Sequence, residues 1–235
     1  MNTFVYSYYI SVFVQFIAFF IQFYGLFLHV SPELIPLKYA LNIEVCVSVI
    51  EFIVYMWIGT NLANFDVIMT KRYADWVITT NGLMISISLL YIYLNQQETK
   101  QQQKQVLEEN NKKTLLNANV SKFIPLIVYN NLMLLCGFMG EKGFISKTYS
   151  FSFGFLFFFM GFYSLFKEFA MHSQSSTNVF YIITTIWALY GFSHLLPKLE
   201  KNVAYNILDL ISKNLFGVFM VYLIMNPQAL TIIKQ

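Results

Sequence analysis

The chain of 235 residues is 57% hydrophobic, 19% aromatic and only 11% charged, with a net charge of +3. Such a composition excludes a soluble globular domain, and a charge this close to balance leaves no electrostatic footprint for nucleic acid. The two cysteines, Cys46 and Cys136, sit inside apolar runs, where a thiol serves as a small hydrophobe and not as half of a disulfide framework.

The opening stretch MNTFVYSYYISVFVQFIAFF has no basic leader and no small-residue cleavage site, so it reads as a first spanning helix and not as a removed signal. With about 20 apolar residues per crossing, spans fall at 4–29, 38–60, 70–94, 122–140, 147–170, 178–197 and 203–226. The expected fold is an all-α, multi-pass membrane protein: one seven-transmembrane-helix domain over 1–235 with the lipid bilayer as its partner. Most connections are short and polar, such as HVSPELIP, GEKG and PKLEKN. The exception is a Gln/Lys/Asn-rich insertion at 95–121, which has few residues able to form a core. Seven crossings put the termini on opposite sides. With the N-terminus outside, the inner segments hold Lys38, Lys100, Lys104, Lys112, Lys113, Lys122, Lys167 and Lys234, and the outer ones Lys71, Lys142, Lys147, Lys198 and Lys201. This excess favours N-terminus outside, C-terminus inside.

Several ionisable residues fall within the spans, where each is costly unless the bundle interior uses it. In the second span, Glu44 and Glu51 are seven residues apart and share a face. Glu44, near the end of its span, either snorkels to water or faces the bundle; Glu51 is deeper. In the third span, KRYADWVITTNG aligns Arg72, Asp75 and Thr79 on one face, and Ser86 continues that line. In the seventh, Asp209 and Lys213 have an i, i+4 spacing. On a soluble helix that pair would be an ordinary salt bridge. Here nearly a full apolar span follows the lysine, a setting that suits an amine able to form a Schiff base with an aldehyde. A cation at Lys213 needs carboxylates beside it, and Asp209 and Asp75 can supply them.

The run RYADW at 72–76 followed by TT at 79–80, the D-x-x-x-K at 209–213 and IWALYGF on the sixth span resemble the microbial (type-1) rhodopsins. The likeness is greatest to the bacteriorhodopsin and proteorhodopsin branch, and the small viral rhodopsins are similar as well. The resemblance implies all-trans-retinal as cofactor, linked to Lys213, with Asp75 as primary counterion and proton acceptor and Asp209 as second counterion. It further implies that Thr79 hydrogen-bonds Asp75, that Arg72 stabilises the ionised carboxylates, and that Trp76, Thr80, Leu83, Trp187 and Tyr190 line the pocket. At the Leu83 position leucine goes with green absorption in proteorhodopsin-like proteins. A homo-oligomer, trimeric or pentameric, is also implied, and no metal site is expected. There are departures: Asn81 and Gly191 replace prolines, and His194, read as a packing histidine, replaces a second tryptophan near the ring end of retinal. The pocket residues of the fourth and fifth spans are left open among Asn130, Asn131, Cys136, Phe157 and Met160.

The resemblance implies light-driven ion translocation and no enzyme chemistry. An aspartate at 75 argues for an outward proton pump and against a halide pump. The alternative is a light-gated cation channel whose second-helix glutamates, Glu44 and Glu51, line the pore; a photosensory receptor is third. Ser86 stands where a carboxylate proton donor is usual, and a serine cannot store a proton. A pump built this way should show slow, pH-dependent reprotonation. Flash photolysis across pH checks this: decay of the deprotonated state should slow as protons become scarce, and a pH-independent decay would count against a pump lacking a donor carboxyl.

Overall fold

A computed structural model of the chain describes residues 2–102 and 112–227. Residues 103–111 of the polar insertion, with Lys104, and Lys234 near the C-terminus lie outside the described residues. Among the described residues seven helices follow one another. They are α1 (Asn2–Gly25), α2 (Ile35–Gly59), α3 (Phe65–Gln102), α4 (Lys112–Glu141), α5 (Lys147–Ala170), α6 (Gln174–His194) and α7 (Lys198–Met225). Each packs on its chain neighbour and α1 closes on α7, so the helices form a ring in sequence order. All but α6 are long and apolar enough to cross a membrane; α6 opens with the polar run QSSTN. At 38 residues, α3 extends about 57 Å, well beyond a hydrocarbon core of about 30 Å. It and α4 carry helix into both flanks of the polar insertion.

The side-chain pattern is that of a protein turned inside out. On α1 the buried stripe is Phe4, Tyr8, Ser11, Gln15, Ala18 and Gln22, at helical spacing and largely polar, while Phe13, Phe16, Phe20 and Phe23 face outward. The buried face of α2 likewise carries Glu44, Ser48, Glu51 and Tyr55. Lipid tails are as apolar as phenylalanine, so nothing drives those rings inward; hydrogen bonding drives the polar groups there instead. Local signals set the ends. Ser146 and Ser173 cap α5 and α6 by accepting from the backbone amides of Tyr149 and Ser176, and Gly143 turns the α4–α5 connection at φ +74°.

Two stretches widen to a π-helix: Phe166–Ala170 at the end of α5 and Leu210–Leu215 in the middle of α7. The second contains Lys213, and π turns inside longer helices tend to mark functional positions. Two lysines counted among outer-loop charges are buried in the bundle. Lys71 donates to the Trp57 carbonyl at 2.6 Å and lies 4.1 Å over the Trp57 ring, and Lys201 pairs with Glu141.

Close approach of α1 to α2 depends on Gly59, where an added methyl would collide with the Tyr8 hydroxyl, itself bonded to the Tyr55 carbonyl at 3.0 Å. Gly59→Ala should lower stability by about 1–3 kcal/mol through overpacking, read as a reduced midpoint of thermal unfolding in detergent. Adding Tyr8→Phe should restore part of the loss.

Candidate functional site

The centre of the bundle is a buried ion cluster. The Lys213 Nζ donates to Asp75 Oδ2 at 2.8 Å and lies 3.3 Å from Asp209 Oδ1 and 3.7 Å from Glu51 Oε1. All four side chains are at most 2% exposed. Three helices therefore deliver carboxylates to one ammonium: α2, α3 and, through the i, i+4 step, α7 itself. Glu51, which the sequence places only as a possible pore-lining residue, stands in the first ring of charges around the lysine.

The Asp209 carboxylate is the most heavily bonded group of the cluster. Its Oδ2 accepts from Arg72 Nη1 and the Tyr55 hydroxyl, both at 2.9 Å; its Oδ1 accepts from the Tyr190 hydroxyl at 2.9 Å and from Trp76 Nε1 at 3.3 Å. Arg72 is held from its other side by Asn202 Oδ1 at 3.3 Å and by Asn206 Oδ1, and Asn206 in turn donates to Ser7 at 2.8 Å. Asp75 is barer: its Oδ1 has no hydrogen-bond partner. Thr79 bonds Asp75 through the backbone, since its hydroxyl donates to the Asp75 carbonyl at 3.0 Å, one helical turn back, and not to the carboxylate. Asp75 thus has one oxygen without a partner, whereas Asp209 accepts from four donors.

On the other side of Lys213, Glu51 Oε2 accepts from Asn214 at 2.7 Å, Gln22 donates to the Asn214 carbonyl at 3.3 Å, and Ser48 donates to Gln22 at 3.0 Å. Further along, Ser86 donates to Glu44, whose carboxyl is fully buried; Glu44 therefore faces the bundle and does not snorkel to water.

An elongated cleft opens from Lys213 toward the ends of α4, α5 and α6, with about 780 Å³ of empty space, part of it open to the surroundings. Trp76, Thr80, Leu83, Trp187 and Tyr190 line it. From α4 and α5 the walls are Met133, Leu134, Gly137, Phe151, Phe155 and Phe158. Of the residues left open by the sequence, Met160 points outward, and Asn130 and Asn131 tie α4 to α3 instead, Asn130 donating to Thr80 at 2.7 Å and to Asn81 at 2.8 Å. Cys136 and Phe157 are not wall residues either. The residues that sequence reasoning missed are Tyr55, Asn202, Asn206 and Asn214. A signal for Tyr55 existed, since it lies one turn beyond Glu51 on the same face of α2.

Removing a partner from a buried pair strands the other charge. Asp209→Asn should cost about 3–5 kcal/mol by leaving the Arg72 guanidinium without its carboxylate. The check is a thermal midpoint well below that of Asp75→Asn, because Asp75 makes fewer bonds.

Over residues 2–226 the chain matches the family model of bacteriorhodopsin-like proteins. The green-light absorbing proteorhodopsin of Gamma-proteobacterium EBAC31A08 is 24% identical over 204 residues, which cover 78% of this chain and 72% of that protein. Among solved structures, that of the viral rhodopsin OLPVRII is similar with a TM-score of 0.75 and 28% identity over 93% of this chain and 95% of that one. The light-driven proton pump Coccomyxa subellipsoidea rhodopsin shares the fold at a TM-score of 0.66 and 15% identity, covering 95% of this chain and 97% of its own. The chain belongs to the bacteriorhodopsin-like family of microbial rhodopsins, multi-pass membrane proteins that use retinal as their chromophore.

Proposed function

We propose that this protein is a light-driven outward proton pump, with retinal held on Lys213 as a protonated Schiff base and Asp75 as the proton acceptor. The observation that carries the reading is the 2.8 Å contact between Lys213 Nζ and Asp75 Oδ2, with the second Asp75 oxygen unpartnered. The residues present fit the chromophore: a reactive amine at one end of a cleft, two tryptophans for walls and a carboxylate cluster around the nitrogen. Retinal bound there supplies light absorption and a change of shape that reorients the nitrogen.

The protein's own groups account for the proton. Two cations, Lys213 and Arg72, face Asp75, Asp209 and Glu51, so full ionisation leaves one negative charge in excess and favours a proton shared within the cluster. A proton leaving Lys213 Nζ has Asp75 Oδ2 within direct reach. Asp209, by contrast, already accepts from Arg72, Tyr55, Tyr190 and Trp76. On the opposite side of the lysine, Ser86 cannot store a proton, but Glu44, to which it donates, can. The pair supports Glu44 as a donor moved from α3 to α2. The lysine distribution supports the N-terminal side as outer. With Lys71 and Lys201 inside the bundle, Lys142, Lys147 and Lys198 are the exposed lysines on that side among the described residues.

A second reading, a light-gated cation channel, is favoured by one feature. Ser11, Gln15 and Gln22 of α1, Ser48 and Glu51 of α2, and Asn206 and Asn214 of α7 form a buried polar lane along one seam of the ring, and neither polar atom of the Gln15 amide has a partner. A pump needs a few well-placed proton carriers, whereas a conducting pore needs such a lane from end to end.

Photocurrent under voltage clamp with identical solutions on both sides separates the two. A pump gives outward current at zero driving force, and Asp75→Asn abolishes it. Current that reverses at zero potential instead identifies a channel, and Glu51→Gln should then reduce its conductance. In either case Lys213→Ala should remove the visible absorption, and a colourless wild type after supply of retinal would sink both readings.

A further inference from the structure

The π turn that carries Lys213 is gripped by α1, a helix that contributes no charge to the ion cluster. Gln22 of α1 is fully buried, and its Nε2 donates to the backbone carbonyl of Asn214, the residue after the lysine, at 3.3 Å. Its Oε1 accepts from the Ser48 hydroxyl of α2 at 3.0 Å, so both ends of the amide are engaged and its orientation is fixed. Gly217 makes the approach possible, since a methyl there would fall 2.4–2.6 Å from the end atoms of the Gln22 side chain. The Asn214 side chain is held as well, its Nδ2 donating to Glu51 Oε2 at 2.7 Å. Main chain and side chain of one residue, next to Lys213 in sequence, are thus pinned to α1 and α2.

Such a grip matters more at this turn than elsewhere. The Lys213 nitrogen lies at once 2.8 Å from Asp75, 3.3 Å from Asp209 and 3.7 Å from Glu51, groups supplied by three helices. A lysine reaches its partners through a flexible four-carbon stem, so the placement of its backbone decides how the nitrogen is shared among them. Leu210–Leu215 is widened to a π-helix, whose hydrogen-bond register differs from that of the α-helix on either side. Where the two registers meet the ladder is interrupted, and neighbouring helices fix what the ladder does not. The same helix supplies a comparison. Gln15 lies seven residues before Gln22 on the same buried stripe, is 2% exposed, and neither polar atom of its amide has a partner. Of two buried glutamines on one face of α1, Gln22 bonds the backbone of α7 and Gln15 does not.

We propose that Gln22 is a positioning residue: by holding the Asn214 carbonyl it sets the π turn, and through it the distance from the Lys213 nitrogen to Asp75. The proposal rests on the reading of Lys213 as the retinal-linked residue, because that distance then governs colour. A carboxylate close to the protonated nitrogen stabilises positive charge there, and excitation moves that charge away along the polyene. A nitrogen drawn off its carboxylate therefore absorbs at longer wavelength. A contact already at 2.8 Å can only lengthen when the turn loosens, so loss of the grip acts in that direction. Loss of a buried amide that grips nothing does not.

The test compares Gln22→Met, which keeps most of the side-chain volume and removes the amide, with Gln15→Met. Two quantities are read in detergent: the absorption maximum of the retinal-bound protein, and hydrogen exchange of the Leu210–Leu215 amides in the protein without retinal. The expected result is a shift to longer wavelength and faster exchange of the turn in Gln22→Met, with neither in Gln15→Met. A Gln22→Met protein that only unfolds at lower temperature, with its absorption maximum unmoved, overturns the proposal. Equal effects of the two substitutions overturn it as well, since buried polarity and not the bond to Asn214 would then be what matters. Should Gln22→Met not fold, Gly217→Ala, whose methyl displaces the same amide, should reproduce the shift, and an unmoved maximum there overturns the proposal equally. A wild type with no visible band would defeat the Lys213 reading, and exchange would still decide the role of Gln22: faster exchange in Gln22→Met alone upholds its grip on the turn, and equal exchange in both variants removes it.

Discussion

An ammonium buried at the centre of a bilayer-spanning bundle is the constraint on which the rest of this structure depends. Lys213 is 1% exposed, and an uncompensated charge in such a place would force either deprotonation or unfolding. Its compensation recruits one carboxylate from each of α2, α3 and α7, which ties three helices to one atom. Three carboxylates then overshoot one cation, and Arg72 restores most of the balance from the other side of Asp209. Arg72 in turn needs Tyr55, Asn202 and Asn206, and Asn206 reaches Ser7 on α1. Parts of the polar stripes of α1 and α2, with Gln15 a gap in them, are thus tied to this lysine through hydrogen bonds.

Such bonding also explains how the bundle coheres where the hydrophobic effect offers nothing between helices. Packing and interhelical hydrogen bonds remain, and both are visible. Tyr8, Ser11 and Gln22 stitch α1 to α2 and α7, while Asn130 and Asn81 join α4 to α3. Glycines allow close approach where a large neighbour must fit, as Gly217 does against the Gln22 amide and Gly137 against the Tyr73 hydroxyl. The aromatic cluster of Trp76, Tyr190 and Tyr205 has ring centroids 4.9–5.8 Å apart, so the cleft wall is also a rigid brace between α3, α6 and α7.

How much of this the sequence discloses depends on whether the information is carried by one helix or by several. Asp209 and Lys213 are legible because an i, i+4 step fixes their shared face whatever the surroundings. The Arg72, Asp75, Thr79 line is legible for the same reason, although not which Asp75 oxygen Thr79 would bond: a hydroxyl one turn from a backbone carbonyl finds that partner first. The walls from α5 are not legible, because a helix as uniformly apolar as KTYSFSFGFLFFFMGF has no polar face to betray its rotation. The neighbours of His194, Ser150 and Glu141, are not legible either, because they come from helices distant in sequence. The polar stripe of Ser11, Gln15 and Gln22 was available in the first span, and its helical spacing would have pointed to an inward face.

Ser86 and Glu44 show why position in space, more than position in sequence, decides what such a protein can do. By its place on α3, Ser86 cannot store a proton, yet its hydroxyl touches a carboxyl supplied by α2, so the same region of the bundle still contains the carboxyl that the proposed pump requires. Moving that carboxyl to α2 has a further effect. Glu44 now shares a helix face with Ser48 and Glu51, and the proton store is aligned with the polar lane between α1, α2 and α7 instead of with α3 alone. A carboxyl on α3 would serve only the lysine beside it. On α2 it also adds a carboxyl to a seam that already contains Gln22, Asn214 and an amide at Gln15 with no partner, the feature on which the channel reading rests. The pump and channel readings diverge on the same few residues because one displaced carboxylate serves the needs of both, and the width to which that seam opens in light is the quantity that selects between them.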